Sequence, residues 1–424
     1  MRDHPLREVL NEELHARPAL RIAAPAALSH QVFLAPEGEA EGDRARLAEF
    51  AARYGQPGPV RPARHLVVTL PGGFLLRWER HGEFQAFTAI RPREALPHED
   101  PWSALTPEML ALLDDAPGER LVAVHLRIEA GPDRPPPSNA FGAELVGARF
   151  GSSGARAFTD FRLHDDPLGG RFGRWLLQVP EVDAGRLGRM AQRILEIETY
   201  RMAALLALPD ARSAVSGLSA MEQRLAAIVE HTARGSDDDT KLLEELTALA
   251  AEAEANAART RFRFAATAAY GTLVERRLAD LQESRIEGFQ PVSTFLDRRF
   301  RPALDTCAAV ARRQEALLRG LGNASSLLRT RVDVRLEQQN AALLATMSRR
   351  AAMQLRLSMA VEGFSTFAIA YYATSLVKLA AEGLPGVGFR APDWLGLVAV
   401  PVLAGAIWFS VRQLRRSLQL KEQE

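Results

Sequence analysis

One cysteine, a nearly exact balance of charge and no secretion signal set the first limits on this 424-residue chain. Cys307 on its own closes no internal disulfide, and in a strongly helical segment it reads as a small core residue in a reducing compartment. Lys and Arg number 53 against 52 Asp and Glu, so no overall field recruits nucleic acid, and no basic patch is interleaved with aromatics for base stacking. The opening MRDHPLREVLNEELHARP has no apolar core of a signal peptide, so a cytoplasmic start is expected. A CxxC pair, a nucleophile elbow and a dinucleotide fingerprint are all missing. Gly151-Ser152-Ser153-Gly154 lacks the lysine and the helix start of a phosphate loop. Neither an enzyme nor a cofactor is therefore expected.

What is there divides by period. Asp3 and Pro5 open a short docking helix with Leu6, Val9, Leu10 and Leu14 on one face. A Glu-, Gly- and Pro-rich loop follows over 35–62, with a helix at DRARLAEFAARY inside it. HLVVTL and FLLRWERHGEFQAFTAI then alternate as strands. Phe74, Leu76, Trp78, Phe84, Ala86 and Ile90 fall on one side, and Arg77, Glu79, His81, Glu83 and Gln85 on the other. Further strands are expected at LVAVHLRIEA, AELVGARFGSSGARAFTDFRL and RFGRWLLQVP, so residues 1–180 form an α+β cytoplasmic domain. From Val182 the period becomes 3.6, and 181–350 reads as a long helical hairpin and stalk, with breaks at Pro209, Gly288 with Pro291, and Pro302.

Near the end, 357–377 and 394–411 are the two segments long and apolar enough to span a ~30 Å hydrocarbon core, giving a transmembrane hairpin over 351–416 and a cytoplasmic tail over 417–424. Arg349, Arg350 and Arg356 precede the first span, and Arg412, Arg415, Arg416 and Lys421 follow the second, which places both termini on the cytoplasmic side of a bacterial inner membrane. Trp394 and Trp408 suit the interfaces. Ala404, Gly405 and Ala406 permit close helix approach, and two spans enclose a path only as an oligomer.

Inside the first span stands Glu362, whose carboxylate costs about 2.5 kcal/mol or more at a bilayer centre. It reaches the cytoplasmic headgroups, pairs with Arg356 or a neighbouring chain, or serves a pore-lining or proton-linked role. Ser358, Glu362, Ser365, Ile369 and Tyr372 share one helical face, and with Thr374 the polar ones are the candidate pore-lining residues. Elsewhere, Pro97-His98-Glu99-Asp100 and His164-Asp165-Asp166 could offer imidazole and carboxylate to a metal, without the spacing of a known zinc site. Glu79, His81 and Glu83 could act together in acid–base chemistry, or form the solvated outer face of a hairpin.

DHPLREVLNEELHARP, WERHGEF, TDFRL, RILEIETYRMAALLALP and LEQQNAALLATMSRRAAMQLRLSMAVEGFS together resemble the bacterial membrane-anchored family catalogued as domain of unknown function 3422, over nearly the whole chain. That resemblance implies an inner-membrane protein and no particular activity. The order of elements, an α+β domain, long helices, a stalk and a C-terminal two-helix hairpin, is similar to CorA-type divalent-cation channels. Their Gly-Met-Asn filter has no counterpart, because the corresponding end reads Tyr371-Tyr372-Ala373-Thr374. The expected function is an oligomeric CorA-like channel for a cation or small solute, gated by its cytoplasmic domain. Its expected partners are a lipid bilayer, further copies of the chain and a divalent cation. The alternative is a membrane-anchored cytoplasmic binding or scaffold protein without transport.

Overall fold

The structure is a computed structural model that describes all residues except 1–2, 5, 8–10, 12–19, 36–39, 60–63, 93–99, 132, 138, 235–237, 384–393 and 422–424. It falls into two compact units, Met1–Ser325 and Ser326–Glu424. Most of the expected N-terminal docking helix, His98 and Glu99 of the first His-containing loop, and the loop joining the last two helices lie outside the described residues.

The first unit is built on a nine-stranded sheet. In chain order its strands are β1 (Ala26–Leu34), β2 (His65–Thr69), β3 (Leu75–Arg80), β4 (Phe84–Arg91), β5 (Glu119–Ala130), β6 (Val146–Phe150), β7 (Ala155–Asp165), β8 (Arg171–Val179) and β9 (Glu283–Arg285). Across the sheet they run β2-β3-β4-β1-β5-β8-β7-β6-β9, antiparallel throughout except for the parallel pair β5 and β8.

Helices cover both faces. On one, α1 (Ala40–Ala52) and α2 (Pro107–Asp114) bring Leu47, Phe50, Met109 and Leu113 against Leu76, Trp78 and Phe87. Thr106 caps α2 by accepting the Met109 N–H, and Pro107 fits the first turn, where no donor is needed. On the other face lies α3 (Ala184–Leu205), capped by the Asp183 carboxylate on the Arg186 N–H at 3.0 Å. Leu187, Met190, Ala191, Ile194, Leu195 and Ile197 recur every three or four residues and pack on Leu28, Phe84, Leu126 and Trp175.

Pro209, expected to stop a helix, sits in the first turn of α4 (Leu208–Arg234), the position proline tolerates best. The 43-residue α5 (Asp239–Leu281) follows, with Asp238 accepting the Lys241 N–H at 3.2 Å. Its buried residues Leu246, Leu249, Ala253, Ala257, Thr260, Phe264, Thr267, Gly271 and Val274 are spaced three and four apart. This is a coiled-coil seam. After α6 (Val292–Arg299) comes α7 (Arg301–Gly383), whose Cys307, Val310, Gln314, Leu317 and Leu321 continue the same spacing. The two seams run antiparallel: Gly271 faces Leu304, and Thr260 bonds Gln314 at 3.2 Å.

The second unit contains the rest of α7 and α8 (Leu395–Lys421), with Pro401 inside α8. Among the described residues no helix is long and apolar enough to cross a membrane. The expected transmembrane hairpin is therefore overturned, and with it the expected multi-pass inner-membrane location and ion transport. Composition is the reason in 357–377: Glu362, Gly363, two tyrosines and the hydroxyl residues at 358, 365, 366, 374 and 375 dilute the apolar run. In 394–411 the side chains at 395, 396, 399, 403 and 411 lie outside the described residues, and Pro401 stands inside the continuous helix.

Candidate functional site

A cavity of about 230 Å³ lies between β1, β3 and β4 below and α3 above, with Arg277 of α5 closing one wall. Its apolar lining is Leu20, Ile22, Leu28, Phe84, Ala86 and Leu195, and its polar lining is drawn from every element around it. Gly188 of α3 permits the roof, because a Cβ there would stand 1.6 Å from the carbonyl oxygen of Leu20.

The register of the hairpin decides what faces the cavity. Glu79 lies opposite Ala86 and Arg77 opposite Thr88, while Trp78 lies opposite Phe87 and Arg80 opposite Gln85. Arg77 and Glu79 thus share a face with Phe84, Ala86 and Ile90, and the two sets of residues do not segregate as the alternation through the turn suggested. Nor is that face solvated. A sheet covered on both sides buries both, so polar residues at alternate positions mark a lined cavity rather than the outside.

Arg77 Nη2 donates to Glu79 Oε1 at 2.7 Å, with the arginine side chain 3% exposed. On the opposing wall Arg277 Nε donates to Glu196 Oε2, and Gln192 holds the other oxygen of Glu196 at 2.8 Å. Burial alone would lower the Arg277 pKa, but the charge and hydrogen bond of Glu196, with Tyr200 and Asp280 adding, raise it above its ordinary value.

His30 forms the floor. The Thr199 hydroxyl donates to the Leu195 carbonyl at 2.9 Å, so its oxygen is left to accept from His30 Nε2 at 3.0 Å. The hydroxyl of Thr88 then donates to His30 Nδ1 at 2.9 Å. Both ring nitrogens are matched by a neutral imidazole, a tautomer assigned from the network. Burial, reinforced by the charges of His81 and Arg77, lowers the His30 pKa to about 3.

The suggested acid–base trio is divided. Glu79 and His81 line the cavity, with the His81 ring stacked on Phe84 at 4.4 Å. Glu83 instead pairs with Arg263 at 2.8 Å. Burial first, then the Glu83 carboxylate, raise the pKa of the Tyr270 phenol well above its ordinary value.

A second buried constellation was not legible in the sequence. Ser29 Oγ is 2.8 Å from His125 Nδ1, and His125 Nε2 is 2.8 Å from Asp166 Oδ2. Serine, histidine and aspartate in that order suggest acyl transfer, yet Ser29 is 1% exposed and His125 is 0% exposed. The Ala104 N–H donates to Ser29 Oγ at 2.8 Å, and Phe172 stacks on the imidazole at 4.1 Å. With no open side for a carbonyl to approach, the trio is a buried strut joining β1, β5 and the β7–β8 turn. Burial would raise the pKa of Asp166; hydrogen bonds from His125 and the Leu168 N–H, with the nearby charges, outweigh it and lower it.

The metal candidates disperse. His164 bonds Asp160 at 2.9 Å, Asp166 belongs to His125, and Asp165 lies 3.5 Å from Arg171. Asp100, from the other cluster, accepts the N–H groups of Trp102 and Ser103. Among the described residues no group of three or more His, Cys, Asp or Glu gathers as a metal site requires.

In the second unit Ser358, Ser365 and Tyr372 are exposed, and Glu362 and Thr374 are half-buried. The Thr374 hydroxyl donates to the Ala370 carbonyl at 2.8 Å. Of these five, Glu362 alone lines the groove between α7 and α8, which it shares with Thr366, Phe367, Ala404, Trp408 and Arg412. Arg412 lies over the Trp408 ring at 4.8 Å.

No curated protein and no solved structure matches the chain. A family model described as protein of unknown function (DUF3422) matches residues 2–418, so the chain belongs to the DUF3422 family.

Proposed function

We propose that this is a binding protein whose first unit captures a small polar ligand between the sheet and α3, without covalent chemistry at that site. The observation that carries this reading is the charged lining itself. Arg77, Glu79, Glu196 and Arg277 surround an opening within the apolar layer between the sheet and α3, where polar groups are costly to bury unless they are matched. Such groups converging on a concave, partly apolar pocket are the usual mark of a ligand site. The lining contains no Ser or Cys, and the hydroxyls of Thr88 and Thr199 are both engaged with His30. The test is calorimetric titration of the full chain with small charged metabolites grouped by charge type. Saturable binding that weakens in Arg77→Met and persists in Asp133→Asn, on the surface away from the cavity, supports the reading. Binding that survives Arg77→Met unchanged overturns it.

A second reading, assembly of several copies, rests on the second unit. The seam of α7 continues beyond Leu328 through Val332, Leu336, Leu343 and Met347, the last three exposed. A seam at three-and-four spacing is matched by another helix of the same kind, so a second copy is the proposed occupant. Light scattering on the full chain, compared with Leu336→Glu/Leu343→Glu, checks it: a wild-type monomer ends this reading.

A further inference from the structure

The arrangement of charge around the cavity narrows the ligand, on the reading that the cavity binds one at all. Its two walls each carry an ion pair: Arg77 with Glu79 on β3, and Glu196 of α3 with Arg277 of α5. These four formal charges cancel, and the neutral His30 beneath them adds none.

An anion entering this space gains from an arginine on either wall and is opposed by the glutamate bonded to it. A cation meets the reverse. Neither finds a site of one sign, and both lose hydration on entry. A molecule with an anionic and a cationic end can satisfy both members of a pair together, with Arg77 or Arg277 donating to its carboxylate and Glu79 or Glu196 accepting from its ammonium. The apolar part of the lining is Leu20, Ile22, Leu28, Phe84, Ala86 and Leu195, beside the polar His81, Thr88, Gln192, Thr199 and Tyr200. The cavity of about 230 Å³ is large enough for one small molecule. From matched opposite charges, the apolar part of the lining and that size, we infer that the ligand is a small zwitterion of the amino-acid type with an apolar side chain.

The test compares three probes on the unaltered full chain: L-leucine, 4-methylpentanoate, which lacks the ammonium, and 3-methylbutylamine, which lacks the carboxylate. Titration calorimetry at pH 7.5 is expected to show leucine binding and each single-charge probe at least about tenfold weaker, because a site built to bond a group rejects the analogue without it. Glu196→Gln and Arg77→Met, checked for native circular dichroism, are expected to lose that preference. Because the three-probe comparison needs no substitution, it stands even if a variant fails to fold. Should one single-charge probe bind as tightly as leucine, the zwitterion assignment is wrong while the cavity remains a ligand site. If none of the three binds, the zwitterion assignment fails and the binding reading loses its support with it.

Discussion

His30, on β1 between β4 and β5, donates its Nε2 hydrogen to the Thr199 hydroxyl of α3 across 3.0 Å, tying the floor of the cavity to its roof. Its other nitrogen, Nδ1, accepts the Thr88 hydroxyl at 2.9 Å, and that bond requires the imidazole to be neutral.

A pH dependence of stability follows. His30 titrates at about 3 in the folded chain and near 6.5 when unfolded. Below 6.5 the unfolded chain takes up a proton that the folded one refuses, so this contribution is fully present above 6.5 and is lost as pH falls toward 3. The slope reaches about 1.4 kcal/mol per pH unit in that window. Urea unfolding of wild type and His30→Gln between pH 7.5 and 4.5 isolates it: the difference between the two should shrink as pH falls. A constant difference would show that His30 does not titrate in this way.

Gly188→Ala is expected to destabilise by about 1–3 kcal/mol or more, since its Cβ would lie 1.6 Å from the Leu20 oxygen and α3 must lift off. Gly217→Ala, in α4 with nothing within 4 Å, is expected to stabilise by up to about 1 kcal/mol. Thermal unfolding of the pair separates close approach from helix propensity, and a stabilised Gly188→Ala would refute the tight contact.

Ser29→Ala removes the acceptor of the buried Ala104 N–H and the hydroxyl facing His125. A loss of about 1–3 kcal/mol in stability is expected. Ligand affinity should not change, because Ser29 is absent from the cavity lining. Denaturant unfolding and calorimetry on the same variant read both; a loss of binding with stability intact would make the trio part of the site.

The long helices were legible in the sequence because their apolar residues recur at a fixed period and their caps are local. Strand β1 was not, although it lies between β4 and β5 within the sheet. Its AALSHQVFL interrupts the apolar pattern with Ser29, His30 and Gln31, each buried and satisfied by a residue far along the chain: His125, Thr88 with Thr199, and Arg120. Long-range hydrogen bonds leave no periodic trace. The cavity was half legible: Glu79 and His81 stood out as a polar pair, but only α3 packing over them turns an outer face into a lining. Arg277 and Glu196, 81 residues apart, carried no signal at all.

Glu283 caps a neighbouring helix from within a strand. Its two oxygens accept the N–H groups of Val292 and Ser293 at 2.6 and 2.9 Å, at the start of α6. Glu283→Ala is expected to cost about 0.5–2 kcal/mol, the range of a lost helix cap. Hydrogen exchange should quicken at Val292 and Ser293 before the rest of the first unit, and unchanged protection there would refute the assignment.

The strand that carries Glu283 closes the sheet against the edge of β6, and more than 100 residues separate the two along the chain. During synthesis at about 5–20 residues per second, the β6 edge therefore emerges on the order of 10 s before its partner exists. For that interval the nascent sheet offers an open row of backbone donors and acceptors to any other strand nearby. Translation speed through the helical middle of the chain thus becomes a determinant of whether the sheet closes on itself or on a neighbour.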